Sequence, residues 1–142
     1  WRIRDKGDFA MPGYPAKIKS LAWVGDKPHL VTSGADEAIA WPFDGKGGPL
    51  GRKPVCLAYN EDELVTCVHA LPEQDAVFVG FRDGAVQLAE LDETKPAIVI
   101  SGSTGSEVTK IIVAGLHIFV GDARGNVLWA PLWEGTNFAQ HI

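Results

Sequence analysis

The sequence predicts an all-β protein made of many short antiparallel strands, and three observations support this. Short apolar runs rich in Val, Ile and aromatic residues recur along the chain, as expected of pleated, half-buried strands. The 16 Gly and 9 Pro residues supply frequent turns between these runs. Apolar residues do not follow helical spacing over any useful window. We therefore expect no helix longer than about one turn.

The composition is that of an ordinary globular domain. Its charge and the length of its apolar runs argue against two classes of partner, nucleic acids and membranes. The 142 residues are 46% hydrophobic and 22% charged, with a net charge of −5. An acidic chain without a basic stripe argues against nucleic-acid binding, because Lys and Arg must neutralise the phosphates. No apolar run approaches the ~20 residues that a membrane span requires. We therefore expect neither a nucleic acid nor a membrane as partner.

The two cysteines, Cys56 and Cys67, lie within apolar runs. Two cysteines do not make a disulfide framework in a chain of this size, and their spacing is not that of metal ligands. The sequence thus predicts buried, free thiols and a reducing compartment such as the cytoplasm.

Three segments of the chain resemble one another and indicate an internal repeat. In each, an apolar strand runs into a turn of small residues, and a second strand follows that ends at a large residue. The segments are His29–Phe43, Ala76–Leu91 and His117–Leu132. The large residues in register are Trp41, Leu88 and Trp129, and Trp1 fits the same position of a preceding unit. Their spacings of 40, 47 and 41 residues indicate a single repeated unit.

Further short strands complete each unit. Strands before the hairpins begin at Ile18, Val65 and Val108, and strands after them begin at Pro54 and Pro96, with a weaker candidate at 137–142. Each unit therefore has four strands. We divide the chain into the end of a preceding unit with its outer strand (1–17) and three further units at 18–64, 65–107 and 108–142. Since the chain begins at Trp1 rather than Met, we expect it to be a piece of a longer protein.

The hairpin segments SGADEAIAW and GFRDGAVQL resemble the strand–turn–strand of the WD-repeat family. The resemblance places Asp36 and Asp83 at the Asp of the family's turn, and Trp41 and Trp129 at its Trp. It implies a structural role for these residues, in which the Asp bonds the turn backbone and locks the blade. It also implies a β-propeller with blades of four-stranded antiparallel sheets, of which this chain supplies a partial ring of about three.

The sequence departs from the family's pattern at several positions. Arg124 stands where the third turn needs its Asp, and no Gly-His dipeptide precedes a first strand. The Trp is followed by Pro42 or Ala130, never by Asp. The family's full hydrogen-bonded network therefore cannot form, and the repeats are divergent. The alternative fold is an unrelated antiparallel sandwich or barrel, which would not explain two registers of similar period.

No motif in the sequence points to catalysis, a metal or a cofactor. The four histidines stand far apart in sequence: His29, His69, His117 and His141. The stretch SGSTGSEVTK lacks the spacing of a phosphate-binding loop. We predict no catalytic residues, no metal ligands and no cofactor. The alternatives to be weighed are a propeller enzyme of the metal-assisted hydrolase type and a purely structural assembly module of a larger protein.

The expected function is a non-catalytic scaffold that binds other proteins. An open arc of blades would leave two apolar sheet faces in water, so we expect a homo-dimer or a ring completed by another chain. The turns that share one face of the ring carry the candidate partner-binding residues Lys17, Asp62, Glu63, Arg82, Glu107 and Arg124. On the opposite face, Trp133 is the candidate for an exposed contact.

Overall fold

The computed structural model describes residues 10–71 and 73–132, which form β-strands and no helix. The strands are β1 Leu21–Val24, β2 His29–Thr32, β3 Glu37–Pro42, β4 Val55–Tyr59, β5 Val65–Ala70, β6 Ala76–Phe81, β7 Val86–Glu90, β8 Ile98–Ser101, β9 Val108–Ala114, β10 His117–Asp122 and β11 Val127–Pro131. The all-β prediction is confirmed. In the described part of the chain, no helix is long and apolar enough to cross a membrane.

The strands form three antiparallel sheets whose strand order follows the chain. The first sheet contains β1 to β4, the second contains β5 to β8, and the third contains β9 to β11. The first two sheets have the four strands predicted for each unit. The fourth strand predicted for the last unit, at 137–142, lies outside the described residues. Residues 10–17 contain no strand, and the rest of the outer strand predicted over 1–17 lies outside them as well.

The second sheet lies between the other two and supplies both halves of the core. One cluster joins it to the first sheet and contains Val31 and Phe81, both fully buried. The other joins it to the third sheet and contains Phe78, Ile111 and Ile118. Burying each such side chain contributes roughly 1.5–3 kcal/mol, so the two interfaces between sheets carry most of the stability.

The first strands of the three sheets lie side by side. The hydroxyl oxygen of Ser20, just before β1, accepts a hydrogen bond from the Val68 N–H of β5 at 3.0 Å. The Thr66 hydroxyl of β5 donates to the Val108 carbonyl of β9 at 2.6 Å. Gly80 permits this close approach, because a Cβ there would lie 2.8 Å from the Val108 Cβ. The sheets therefore approach one another closely along β1, β5 and β9.

The large residues at the ends of the second hairpin strands are equivalent in the second and third sheets. Leu88 of β7 lies opposite Phe78 of β6 and packs in the core against the third sheet. Trp129 of β11 lies opposite Phe119 of β10 in the same way. Both side chains therefore point away from the first sheet.

Trp41 does not share this position, and the predicted register of the first hairpin is wrong by one residue. In β2 and β3, Ala40 lies opposite Val31 on the face that packs against the second sheet. Trp41 lies opposite Leu30, and its indole N–H donates to the Tyr14 hydroxyl at 2.7 Å. Since successive residues of a strand point to opposite faces, a slip of one residue reverses the direction of the side chain.

Both cysteines are free, as predicted, but only one of them is buried. Cys67 on β5 is buried between the second and third sheets. Cys56 on β4 is exposed, and the expectation that it would be buried is wrong. β4 is the last strand of its sheet, so the sheet covers it from the side of β3 alone.

Candidate interaction surface

Alternate turns of the three sheets meet at one edge of the molecule, which we call the turn rim. It consists of residues 33–36, 60–64, 82–85, 102–107 and 123–126. Backbone hydrogen bonds join each hairpin turn to the connection between sheets beside it. The Arg82 N–H donates to the Leu64 carbonyl at 2.8 Å, and the Ala123 N–H donates to the Glu107 carbonyl at 2.9 Å. The turn rim is therefore a continuous bonded edge rather than a row of independent loops.

Three of the six candidate partner-binding residues come together at the second hairpin turn. The Arg82 Nε donates to a Glu63 carboxylate oxygen at 3.1 Å, and the Arg82 Nη2 donates to the Asp62 carbonyl at 2.9 Å. The Arg82 side chain is half exposed, so the ion pair adds at most about 1 kcal/mol to stability. Its main effect is to fix the direction in which the guanidinium group points.

The other three candidates lie apart from this group along the turn rim. Glu107 forms an ion pair with Lys19 at 2.8 Å, and the sequence did not single out Lys19. The Arg124 Nη2 donates to the Gly105 carbonyl at 3.4 Å. Lys17 is exposed beside Ala16. The structure thus spreads the six residues over separate contacts and does not gather them into one cluster.

Asp83 bonds both its own turn and the neighbouring connections. One carboxylate oxygen accepts from the Ala85 N–H at 3.0 Å, and the other accepts from the Asn60 side-chain amide at 3.1 Å. Its carbonyl accepts from the N–H groups of Thr104 and Gly105 at 2.9 and 2.8 Å. Asp83 is therefore placed to hold the turn and the two connections on either side of it.

The third hairpin turn is bonded by Asp122, which sequence reasoning missed. One carboxylate oxygen accepts from the N–H groups of Arg124 and Asn126 at 3.0 and 2.9 Å, and the other accepts from the Asn126 side chain at 3.0 Å. Hydrogen bonds from the Asn126 side chain and backbone lower the pKa of Asp122. The sequence signal that could have identified Asp122 is an Asp at the start of a turn that contains Gly. Asp36, at the first hairpin turn, is exposed.

The outer faces of the first and third sheets carry exposed apolar side chains, and we call them the end faces. On the first sheet, Leu21 and Trp23 are 59% and 57% exposed. On the third sheet, Val127 and Trp129 are 67% and 65% exposed, and the Trp129 ring lies 5.6 Å from that of His117. Trp133, the candidate for an exposed contact, lies outside the described residues.

No chemical centre is visible in the residues that the structure describes. Within 10–71 and 73–132, no group of three or more His, Cys, Asp and Glu side chains could hold a metal ion. His69 lies on β5, where burial and then the nearby Lys110 charge lower its pKa. Both effects favour the neutral imidazole.

The comparisons with known proteins identify no family for this chain. No protein-family model matches the chain, and no curated protein matches it. A solved structure described as the crystal structure of the computationally designed Ika4 protein aligns with 87% of this chain and 96% of that chain. Its sequence identity is 14% and its TM-score 0.41. A likeness this distant carries no argument about function.

Proposed function

We propose that this chain forms three blades of a WD-repeat-like β-propeller and acts as a non-catalytic scaffold that binds other proteins. Three consecutive antiparallel sheets with strands in chain order support the proposal. The contacts of β5 with β1 and with β9 also support the proposal, because the first strands of propeller blades line the central axis. The free thiols of Cys56 and Cys67 support a reducing compartment such as the cytoplasm.

The exposure of the end faces is the observation that carries the proposal. Three apolar residues on the outer face of the third sheet have equivalents in the second sheet that are buried against a neighbouring sheet. Val127 and Trp129 are exposed and Phe119 is half-buried, whereas their equivalents Val86, Leu88 and Phe78 are buried. Large apolar patches of this kind mark association surfaces. A further sheet packed in the same way would bury them.

We propose that a second copy of the chain supplies that sheet. The third sheet of one copy would pack against the first sheet of the other, at both junctions, and close a ring of six blades with two-fold symmetry. A ring completed by a different chain is the alternative. The turn rim would then present its charged side chains on one face of the ring, where the WD-repeat resemblance implies partner docking.

Arg82 and Arg124 are the residues through which we propose that the turn rim binds its partner. Both are exposed, and the contacts with Glu63 and Gly105 hold their guanidinium groups in place. Arg is enriched among the residues that dominate binding energy at protein interfaces. The mixed charges of the rim suit a protein surface better than a phosphate backbone.

The first test is the mass of the particle in solution. Light scattering after size exclusion is expected to give about twice the chain mass. A cooperatively folding monomer would reject the ring of two copies.

The second test concerns the turn rim. A partner captured with the purified chain is identified and then titrated against an Arg82→Ala, Arg124→Ala variant. The expected loss of affinity is at least about tenfold. The control is a Lys27→Ala, Lys53→Ala variant, which removes two exposed cations elsewhere. Unchanged affinity of the Arg variant would reject the turn rim as the docking surface.

A further inference from the structure

An open groove lies between the first and second sheets on their outer flank, and we call it the flank groove. Its volume is about 390 Å³. Residues 56–59 of β4 line one side, and Gln87, Ala89 and Val99 of β7 and β8 line the other. Glu93, Lys95, Pro96 and Ala97 of the β7–β8 loop complete the lining. An open groove of this volume suits an extended peptide segment better than a small molecule, which needs to be largely enclosed.

The two strands that flank the groove have unpaired edges. In the described residues, β4 pairs with β3 alone and β8 with β7 alone. Such edges expose backbone N–H and C=O groups, which proteins commonly use to bind an extended segment of another chain. The Gln87 side chain donates to the Tyr59 carbonyl at 3.1 Å and joins the two sides of the groove.

The local backbone exposes Tyr59, which the alternation of a regular strand would bury. Ala58 has a φ of 53°, in the left-handed region that residues with a Cβ rarely adopt. Cys56 and Tyr59 are both exposed, whereas Leu57 and Ala58 between them are buried. Tyr59 is 54% exposed, and Val99 across the groove is 57% exposed. The groove therefore offers an aromatic ring on one wall and an apolar side chain on the other.

Glu93 lines the groove, and further carboxylates lie close enough to act on its Cys56 and Tyr59 side chains. Partial desolvation raises the pKa of Cys56 to about 11, helped by the carboxylates of Glu37, Glu93 and Asp36. Desolvation also raises the pKa of Tyr59, and the neighbouring carboxylates that add to it are Glu61, Asp36, Asp62 and Glu37. These shifts show that several carboxylates act on the same two side chains.

The basic side chain at the groove does not balance this charge. Lys95 lines the groove and forms an ion pair with Glu90 at 2.7 Å. Arg82, on the turn rim, is paired with Glu63. Glu93 in the lining and the carboxylates near Cys56 and Tyr59 therefore favour a cationic ligand over an anionic one.

We propose that the flank groove binds an extended segment of a protein partner that carries lysine or arginine. A cationic side chain over the Tyr59 ring would gain a cation–π contact while it approaches Glu37 and Glu93. Alternate apolar side chains of the segment would pack on Val99, because side chains of an extended chain point alternately to its two sides. This inference rests on the proposed interaction role and gives it a site and a partner class.

The test uses the purified chain and two labelled eight-residue peptides. One peptide alternates Lys with Val, and the other replaces each Lys with Glu. Fluorescence anisotropy at low salt is expected to show binding of the Lys peptide and none of the Glu peptide, with affinity falling as salt is added. A Glu37→Gln, Glu93→Gln variant is expected to bind the Lys peptide about tenfold more weakly. Tyr59→Ala is expected to weaken binding about threefold or more.

The matched control is Asp26→Asn, Glu73→Gln, which makes the same charge change at a separate groove on another part of the surface. Its affinity for the Lys peptide is expected to change less than about twofold. Equal weakening by both variants would show a long-range effect of net charge and would overturn the proposal. Failure of the unmodified chain to bind the Lys peptide would overturn it as well. The particle mass in solution tests the ring separately, so the two proposals can fail independently.

Discussion

Asp83 accepts a hydrogen bond from the Asn60 side chain at 3.1 Å, which joins the β6–β7 turn of the second sheet to the end of the first sheet. The other oxygen of the same carboxylate accepts from the Ala85 N–H at 3.0 Å. One side chain thus stabilises a turn and the contact between two sheets at once. Because Asp83 is only partly exposed, these bonds are not simply exchanged for bonds to water.

We expect Asp83→Ala to lower the free energy of unfolding by about 2 kcal/mol, because the Ala85 N–H and the Asn60 amide lose their acceptor. Asp83→Asn keeps one acceptor oxygen and should cost about 1 kcal/mol. Urea denaturation followed by circular dichroism measures both.

The matched control for Asp83 is Asp36→Ala in the first hairpin turn. Asp36 is exposed, so its loss should change the free energy of unfolding by no more than about 0.5 kcal/mol. Equal costs for Asp36→Ala and Asp83→Ala would show that the sheet-to-sheet contact adds nothing.

The sequence pattern predicts the same structural role for Asp36 and Asp83. Their surroundings in the fold differ, and the sequence does not reveal this difference. Both precede the second strand of a hairpin, which is a local property that the sequence reveals. The bond from Asn60 reaches Asp83 from another sheet, and that depends on how sheets pack. The same limit explains the wrong register of Trp41. Thr32 pairs with Ile39, whereas its equivalent Val79 pairs with Gln87, and this one-residue difference between the hairpins leaves no clear signal in the residue types.

Two equivalent turn glycines offer a test of the close contact between the second and third sheets. Gly84 has a φ of +94°, and an added Cβ would overlap the Thr104 hydroxyl and lie 2.7 Å from the Ser106 carbonyl oxygen. Gly125 has a φ of +87° with nothing within 4 Å of an added Cβ. We expect Gly125→Ala to cost about 1 kcal/mol from backbone strain alone. Gly84→Ala should cost about 3 kcal/mol, because overpacking adds to the strain.

Thermal or urea unfolding of the two glycine variants gives the difference between them directly. A cost for Gly84→Ala no larger than that of Gly125→Ala would mean that the loop at 103–106 moves aside at no cost. It would also mean that the packing of this loop against the β6–β7 turn is looser than the hydrogen bonds of Asp83 with Thr104 and Gly105 indicate.

The two thiols should differ in reactivity. Desolvation and the Glu37 carboxylate raise the pKa of Cys56 from 9.0 to about 11. At pH 8 the thiolate fraction is then about a hundredfold below that of an ordinary thiol, so alkylation by iodoacetamide should be slow although Cys56 is exposed. Cys67 is buried and should react only after unfolding. Mass spectrometry of the alkylated protein distinguishes the two sites.

The control for Cys56 is Glu37→Gln, which removes the nearest carboxylate and should speed alkylation at a fixed pH. The direction of the pH effect on stability follows from the same shift. Because the folded pKa lies above the unfolded one, Cys56 favours folding below pH 9, and this contribution is lost as the pH rises from about 9 to about 11. Fast alkylation at pH 8 with no response to Glu37→Gln would contradict the assigned surroundings of Cys56.

Much of the fold follows from local sequence, whereas the candidate surfaces do not. Runs of β-branched residues separated by turn residues predict the eleven described strands, because strand and turn propensities are local. The ion pair of Lys19 and Glu107 joins residues 88 positions apart, and the flank groove forms where two sheets meet. Neither leaves a pattern along the chain, since both depend on packing between units.

The exposed Trp residues of the end faces allow a direct test of the proposed dimer. Trp23 on the first sheet and Trp129 on the third are both more than half exposed, so replacing either with Glu should cost little folding free energy. A charge placed in an apolar junction cannot be desolvated cheaply, and it should weaken a dimer that buries it. We expect Trp23→Glu and Trp129→Glu each to shift the particle from about twice the chain mass towards the monomer. Leu50→Glu, a similar change in the β3–β4 loop, should leave the mass unchanged.

Mixing the two Trp variants decides between ways of pairing the sheets. In a closed ring of two copies, each junction joins the first sheet of one copy to the third sheet of the other, so each variant alone has two damaged junctions. A mixture of Trp23→Glu and Trp129→Glu has one junction with both Trp residues intact and should recover part of the association. A dimer that joins two first sheets would instead lose association in Trp23→Glu alone, and one that joins two third sheets would lose it in Trp129→Glu alone. Light scattering of the single variants and of the mixture therefore tests the head-to-tail ring itself, and dimers that survive either single variant would rule it out.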